Sequence, residues 1–318
     1  MDSSGQKLEP WVLQQRQGLP LDIKIKMSQR RIKQWYDHWD GQVYVSFSGG
    51  KDSTVLLHLV RSLYPEVPAV FIDTGLEYPE VRDFVKTIEN VTWLKPKLGF
   101  KDVLEKYGYP VVSKQQARYI SDIQRASEKN SATVNLRLTG YNRRGVYCPS
   151  MKISKKWLYL TEAPFKISEK CCDALKKEPF KRYQKKTGAK PIAGIMAAES
   201  QKRRRDYLST GCNSFDSKSN PISHPLSFWV ESDIWEYIDV FSVQYSPIYD
   251  MGELRTGCMF CMFGVHLEAS PNRFERMSKN HPAQWKYCIN KLGCGRVLDF
   301  INVPYGAPLV EPSMEDGE

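Results

Sequence analysis

The feature that most constrains the fold of this chain is a short apolar strand that runs directly into a glycine-rich turn and then into a helix. Val43–Phe47 is the apolar run, Ser48-Gly49-Gly50-Lys51-Asp52-Ser53 is the turn, and residues 53–63 carry apolar side chains at helical spacing. A strand–turn–helix unit presents unpaired backbone N–H groups and the positive end of the helix dipole at the turn. The sequence therefore predicts a phosphate-binding turn.

Individual side chains in the turn add to this prediction. Its two glycines let the backbone approach an anion closely, and Lys51 adds a positive charge. Asp52 either caps the helix or helps to hold a divalent metal ion, while Ser48 and Ser53 supply hydroxyl donors. The alternative is a Gly-Gly turn that merely closes a strand–helix unit. The Gly-x-x-x-x-Gly-Lys spacing of a Walker A loop is absent, which disfavours an ordinary kinase-like NTPase.

Strands and helices alternate after the turn. Residues 67–72 predict a second buried strand ending in Asp73-Thr74-Gly75, and residues 79–88 predict the next helix. Residues 191–195 suit a central strand, with a helix from about Ser200 and another over residues 231–240. Alternation at this spacing indicates an α/β fold with a parallel sheet and crossover helices.

Charge and hydropathy limit the class of protein. The chain has 318 residues and a formal net charge of +10, which favours anionic partners such as nucleotides or nucleic acid, although a generally basic surface would give the same charge. No apolar run approaches the ~20 residues that a membrane span needs, and the first 17 residues are polar. We therefore expect a cytoplasmic protein without a membrane partner.

Two of the cysteine groupings are tight enough to suggest a metal site. They are Cys171-Cys172 and Cys258-x-x-Cys261, among 8 cysteines in all. Thiolates suit zinc or an iron–sulfur cluster, and buried apolar thiols are the alternative. Cys212 is a candidate to replace one member of the adjacent pair.

The turn resembles the PP-loop of ATP pyrophosphatases and of the phosphoadenosine-phosphosulfate (PAPS) and adenosine-phosphosulfate (APS) reductases. The resemblance continues in order through residues 71–80, 192–205, 224–238 and 245–258, although Met196 stands where the family has an arginine. It implies a Rossmann-like fold of the HUP type, with helices on both faces of the sheet and a Cys-rich C-terminal extension. It also implies that the loop binds the anionic tail of ATP, APS or PAPS together with Mg²⁺.

Carried over residue by residue, the resemblance implies a nucleotide site and a catalytic set. Lys51, Asp52 and Asp73 are the implied catalytic residues. The implied nucleotide-binding residues are Ser46, Ser48, Gly49, Gly50, Lys51, Asp52, Ser53, Asp73, Thr74, Gly194 and Arg203.

The Cys-Cys segment resembles that of APS reductases, which implies a [4Fe-4S] cluster held by Cys171, Cys172, Cys258 and Cys261. The expected organisation is a helical segment at 1–40, a PP-loop adenine-nucleotide domain at 41–240 and an extension carrying the Cys-x-x-Cys pair at 241–318.

The chain departs from the sulfonucleotide reductases at one functional motif. Their Glu-Cys-Gly-Leu-His stretch is missing, and Cys294, the last cysteine, lies in Gly293-Cys294-Gly295-Arg296. We therefore favour an iron–sulfur enzyme that adenylates a substrate, with nucleic acid as the favoured class, for sulfur transfer, similar to the ATP pyrophosphatase of DNA phosphorothioation. Reduction of APS or PAPS by Cys294 or Cys288, and a non-catalytic nucleotide-sensing subunit, are the alternatives. A sulfur-donor or other partner protein and a homo-oligomer are both compatible with the sequence.

A basic and aromatic insert surrounds residues 139–145. It suits contact with a phosphate backbone or stacking on a base, and a simple surface loop is the alternative.

Overall fold

A six-stranded, mostly parallel sheet organises the first part of the molecule in a computed structural model that describes residues 7–215 and 220–306. The helices in these residues are α1 Pro10–Gln17, α2 Leu21–His38, α3 Lys51–Arg61, α4 Pro79–Lys86, α5 Phe100–Tyr107, α6 Lys114–Gln124, α7 Ser131–Thr139, α8 Glu178–Thr187, α9 Gln201–Thr210, α10 Glu231–Phe241, α11 Arg273–Asn280, α12 Pro282–Lys286 and α13 Cys294–Phe300. The strands are β1 Val43–Phe47, β2 Ala69–Ile72, β3 Val91–Leu94, β4 Val111–Val112, β5 Lys190–Ala193, β6 Asn213–Ser214, β7 Ile222–Ser223 and β8 Met262–Phe263.

The described residues divide into two compact units. Unit 1 draws on Met1–Lys97 and Lys176–Thr256, and unit 2 draws on Leu98–Leu175 and Gly257–Glu318. These boundaries do not coincide with those expected at 40/41 and 240/241, because unit 2 takes a segment from the middle of the expected nucleotide domain. The three-part division stays a prediction about sequence segments, and its outermost parts, residues 1–6 and 307–318, lie outside the described residues.

The sheet of unit 1 has the order β3-β2-β1-β5-β7-β6, with only β6 antiparallel to its neighbour in the described part of the chain. β1 lies between β2 and β5, and Val45 is in register with Ala69 on one side and Ile192 on the other. After β1 the chain forms β2 and β3 on one side of β1, and it later forms β5 on the other side. The carboxyl end of β1 is therefore a topological switch point, where open α/β sheets bind their ligands.

Helices pack against the sheet, because the side chains of β1 and β2 are mostly buried. Phe180 and Tyr183 of α8 pack on Tyr44 and Val70, and α3 packs on β1 and also contacts α2 and α10. The expected α/β Rossmann-like fold is confirmed by this architecture.

A buried ion pair fixes α2 to α10. The Lys24 ammonium donates to both carboxylate oxygens of Asp233 at 2.7 Å, and Ser28 accepts from the Trp229 indole N–H at 2.9 Å. The segment 224–233, which resembles a family motif, therefore contributes to the core of unit 1 through Trp229 and Asp233.

Unit 2 is built mainly from helices. Its two-stranded parallel pairing joins β4 to β8, with Val111 opposite Met262. The Tyr109 hydroxyl donates to the Leu292 carbonyl at 2.8 Å, which links the start of this unit to its last helices. Among the described residues of both units, no helix combines the length and apolar character required to cross a membrane.

Candidate nucleotide-binding site

The glycine-rich loop lies at the carboxyl end of β1, beside the carboxyl ends of β2 and β5. Gly194 follows β5 and approaches the first turn of α3 closely. A Cβ at Gly194 would lie 2.9 Å from the backbone oxygen of Asp52, a distance that real Cβ atoms almost never show. Glycine at this position therefore permits β5 to meet the loop. The nucleotide-binding role of Gly194 stays a prediction.

Gly49 is required for two separate reasons. Its φ of +72° is in the left-handed region that favours glycine. A Cβ there would also lie 2.7 Å from the side-chain methyl groups of Val81 and Val85 in α4. The loop is thus held against α4 with no room for a side chain at this residue.

Hydroxyl groups within the loop brace it internally. The Ser53 hydroxyl donates to the Gly50 carbonyl at 2.9 Å and accepts from the Ser48 backbone N–H at 3.1 Å. The Ser48 and Ser53 hydroxyls are 3.0 Å apart, and the Thr54 hydroxyl also donates to the Gly50 carbonyl. These bonds fix the loop before any ligand arrives, and preorganised donors lose less entropy on binding. Ser46 lies in β1 just before the loop, in register with Val70 and Ala193.

Two hydroxyls from a distant part of the chain cover the mouth of the loop. The backbone N–H of Lys51, the first residue of α3, donates to the Tyr249 hydroxyl at 2.8 Å. That hydroxyl lies 3.3 Å from the Thr256 hydroxyl, and a Cβ built on Gly50 would be 2.3 Å from the Thr256 oxygen. Sequence reasoning did not assign Tyr249 or Thr256 to the site. The only signal was their position in or near the matched stretch 245–258.

The Lys51 ammonium is enclosed by acidic and aromatic groups. It lies 3.3 Å from an Asp52 carboxylate oxygen and 3.2 Å from one of Glu231, and it faces the rings of Trp235 and Tyr249 at 5.9 and 5.7 Å. Burial alone would lower the pKa of Lys51, but Asp52, Tyr249 and Glu231 outweigh burial and raise it. Lys51 therefore keeps a positive charge at neutral pH, as a phosphate ligand needs.

Asp73 and Thr74, at the end of β2, take part in a closed set of hydrogen bonds. Arg82 donates to the Asp73 carboxylate at 2.8 Å, and the Gly75 backbone N–H donates to it at 3.2 Å. The Thr74 N–H and hydroxyl both donate to the buried Glu77 carboxylate at 2.9 and 2.8 Å. Because Asp73 is engaged by Arg82, its catalytic role stays a prediction.

Arg203, in α9, is electrostatically linked to the loop. It forms an ion pair with Glu199, and burial lowers its pKa, while Asp52 acts to raise it and Arg255 to lower it further. Burial, reinforced by Arg203, lowers the pKa of His224 to about 4. The His224 Nε2 atom is buried and has no hydrogen-bond partner among the residues that the structure describes. Arg203 thus places positive charge within electrostatic range of Asp52, at the start of α3.

The four cysteines of the predicted cluster all belong to unit 2. Cys171 is buried, whereas Cys172, Cys258 and Cys261 are half-buried. The Cys261 N–H donates to the Cys258 carbonyl at 3.0 Å, so this pair occupies a tight turn. Within residues 7–215 and 220–306, however, no three His, Cys, Asp or Glu side chains are grouped so that they would hold a metal ion. The thiols do not form a ready ligand set in this arrangement, and the cluster with its ligands stays a prediction.

Three other cysteines were candidates for an alternative cluster ligand or for the attacking thiol of a reductase. Cys212 belongs to unit 1, where burial raises the pKa of its thiol to about 11. Cys288 and Cys294 are both fully buried and interact with each other, and burial raises the pKa of Cys288 strongly. A protonated, buried thiol is a poor nucleophile.

Comparison with known protein families then decides the family. The model of the phosphoadenosine phosphosulfate reductase domain matches residues 42–126 and 100–263, which together cover more than half of the chain. The chain belongs to the phosphoadenosine phosphosulfate reductase family. The match includes the loop, the end of β2, Gly194, Arg203 and the predicted cysteine ligands.

Similar proteins come from bacteria and archaea. An uncharacterized protein of Methanocaldococcus jannaschii is 26% identical over 280 residues, which are 84% of this chain but 53% of that protein. This chain therefore spans about half the length of that relative. An adenosine 5'-phosphosulfate reductase of Anoxybacillus flavithermus is 23% identical over 264 residues, covering 82% of this chain and 89% of the reductase.

Among solved structures, a phosphoadenylyl-sulfate reductase from Candida auris in a phosphate complex is similar to 75% of this chain and 93% of its own. Its TM-score is 0.44 at 17% sequence identity.

Proposed function

We propose that this chain is an adenine-nucleotide-dependent enzyme that adenylates an acceptor for sulfur transfer. The observation that carries the proposal is the loop at the end of β1, where Gly49, Gly50 and Gly194 bring no side chain of their own to the α3 N-terminus. The Lys51 N–H at this helix end donates to the Tyr249 hydroxyl, a polar partner that a phosphate oxygen would replace. A charged Lys51 stands at the same helix end. Membership of the family supports an adenine nucleotide as ligand and sulfur-related chemistry.

The proposed chemistry uses these groups to hold the anionic tail of ATP. An acceptor oxygen attacks the α-phosphorus, and the bond to the β-phosphate breaks, so that pyrophosphate leaves. The loop amides and Lys51 would stabilise the charge that develops on the leaving group. A bound Mg²⁺ would neutralise part of that charge, and Asp52 is the loop carboxylate that could hold it. Hydrosulfide, delivered by a donor protein, would then attack the activated atom of the acceptor, and AMP would leave with the acceptor's original oxygen.

A reductase that releases sulfite is the second candidate, because APS reductases align with most of this chain. That reaction needs an accessible thiolate. Both thiols considered for it, Cys288 and Cys294, are fully buried, and burial raises the pKa of Cys288. Burial therefore favours adenylation over sulfite release by either thiol. Sulfite release that is lost in Cys288→Ser or Cys294→Ser would favour the reductase instead.

The test is to identify the nucleotide consumed. Anaerobically purified protein is incubated separately with ATP, APS and PAPS, with Lys51→Met as the control for contaminating activity, and iron and sulfide are measured in the same sample. AMP and pyrophosphate from ATP are the expected products. ADP would reject adenylation, sulfite from APS or PAPS would support the reductase, and tight binding without turnover would support a nucleotide-sensing subunit. Iron and sulfide near four atoms each per chain would support the predicted [4Fe-4S] cluster.

A further inference from the structure

A long segment of unit 2 contains basic residues but no acidic ones. Between Glu128 and Glu162 the chain carries no Asp or Glu, although it has 36 acidic residues in all. The basic residues of this segment are Lys129, Arg137, Arg143, Arg144, Lys152, Lys155 and Lys156. Such one-signed charge attracts a polyanion.

Ion pairing leaves most of this charge uncompensated. Arg137 is buried and pairs with Asp122 at 2.9 Å, so it serves the fold. For the other six basic side chains, no carboxylate partner lies within 4.0 Å in residues 7–215 and 220–306. Arg143, Arg144, Lys155 and Lys156 are also exposed. The surface thus keeps positive charge that nothing described in the protein neutralises.

The two arginines stand at the tip of an ordered hairpin, residues 140–148. Its strands pair through Tyr141 and Tyr147, and the Cys148 N–H donates to the Gly140 carbonyl at 2.7 Å. The Asn142 side-chain oxygen accepts from the backbone N–H groups of Arg144 and Val146 at 2.9 and 3.0 Å. These hydrogen bonds define the conformation of the tip and place the two arginines beside each other in its turn.

The hairpin also exposes a pair of aromatic rings. Tyr141 and Tyr147 are 49% and 52% exposed, and their ring centroids are 5.1 Å apart. A Cβ on Gly140 would lie 2.7 Å from the ring of Tyr147, so this ring lies across a glycine that cannot be replaced without moving it. Exposed aromatic rings offer flat apolar faces on which bases can stack, a contact that a polyanion without flat groups cannot make.

We propose that the hairpin 140–148, with Lys152, Lys155 and Lys156, binds single-stranded nucleic acid. The basic side chains contact phosphates, and the two tyrosines stack on bases. A single strand is the partner because the base faces of a duplex are already stacked and are not available to a protein ring. This inference rests on the proposed function, because it names single-stranded nucleic acid as the class of acceptor. Binding of a strand can nevertheless be measured without turnover of a nucleotide.

The first experiment measures fluorescence anisotropy with labelled single strands of about 16 nucleotides, as RNA and as DNA, across a salt series. Each phosphate contact contributes roughly 0.7 to the slope of log affinity against log salt. Arg143→Gln with Arg144→Gln should therefore reduce that slope by about 1.4. The matched control is Lys26→Gln with Lys33→Gln, which removes the same charge from a surface where Asp22 and Asp37 already pair with these lysines, and it should leave the slope unchanged.

The second experiment tests stacking. Tyr141→Ala or Tyr147→Ala should each weaken binding by about 5-fold to 150-fold, which is the range for loss of one base–aromatic stack. The Phe variants keep the ring and should bind within about 2-fold of the parent protein. Circular dichroism of each variant checks that the helices of unit 2 are intact.

Several outcomes would overturn the inference. They are equal affinity for a duplex of the same length, equal affinity for polyglutamate, or no effect of the arginine and tyrosine changes. Formation of AMP and pyrophosphate by a protein that binds no strand would remove this inference and leave the proposed function standing. Strand binding by a protein that turns over no nucleotide would remove the proposed function and leave this inference standing.

Discussion

Replacement of Gly50 by Ala tests how closely Thr256 approaches the nucleotide loop. A Cβ at Gly50 would lie 2.3 Å from the Thr256 hydroxyl oxygen, whereas an ordinary contact is 3.4–4 Å. About 1 Å of displacement is therefore required, and overpacking of this kind costs about 1–3 kcal/mol. The φ and ψ angles of Gly50, −85° and 158°, are comfortable for alanine, so backbone strain adds nothing.

The Thr256→Ala change removes the obstructing atom and should rescue the variant. In that background, Gly50→Ala should be neutral or stabilising by up to about 0.5 kcal/mol, because alanine reduces the entropy of the unfolded chain. The nearest remaining atom is the Tyr249 hydroxyl oxygen at 3.1 Å, which needs to move only slightly. The expected interaction energy in the double-mutant cycle is thus about 1–3 kcal/mol.

The assay is urea unfolding, followed by tryptophan fluorescence, for the parent, the two single variants and the double variant. Gly49→Ala is the matched control, because its φ of +72° and its contacts with Val81 and Val85 do not involve Thr256. Thr256→Ala should not rescue it. Additive free energies for Gly50→Ala and Thr256→Ala, within about 0.5 kcal/mol, would refute the proposed approach of Thr256 to the loop.

Three further predictions follow from charged groups in unit 1. Lys51→Met should weaken ATP binding by about 10-fold to 150-fold in isothermal titration, since a hydrogen bond to a charged group contributes about 1.5–3 kcal/mol; an unchanged affinity would remove Lys51 from the site. Lys24→Met leaves the Asp233 carboxylate buried without its cation and should lower the free energy of unfolding by about 3–5 kcal/mol. Adding Asp233→Leu should restore stability if the unpaired charge is the cause, and a decrease in the free energy of unfolding below about 1 kcal/mol for Lys24→Met would contradict this explanation. The pKa of His224 is about 4 in the folded protein against 6.5 for an ordinary histidine, so the unfolded chain binds the extra proton first as the pH falls. Stability should therefore fall by about 3 kcal/mol between pH 7 and pH 4 in the parent, and the His224→Gln variant should lack that part of the fall in pH-dependent urea titrations.

The glycine-rich loop and its place after β1 were predictable from sequence because the pattern that encodes them is local. Residues 43–53 carry the strand, the turn and the helix start in one continuous run, and the structure has β1 and α3 there. Gly194 was named from the family resemblance, and its close approach to Asp52 now gives a physical reason for it.

Features that depend on distant contacts were not predictable. Tyr249 meets the Lys51 N–H across 198 residues of sequence, and no local pattern indicates such a pairing. The edge strand β3 was missed because its residues are half-exposed and lack the apolar signal of a central strand.

The segment 224–238 illustrates a different limit. It resembles a family motif, and His224 lies within electrostatic range of Arg203. Trp229 and Asp233, in contrast, are buried against Ser28 and Lys24 of α2. A segment that matches a family motif can therefore contribute residues to the core, and burial identifies those residues.

The central claim is that the loop between β1 and α3 binds the anionic tail of an adenine nucleotide. The most direct measurement is isothermal titration of the parent protein with ATP and with adenosine under the same salt conditions. ATP is expected to bind at least about 100-fold more tightly, because the helix-end amides and Lys51 would contact only the tail. Equal affinities for the two ligands, or no binding of ATP, would contradict it.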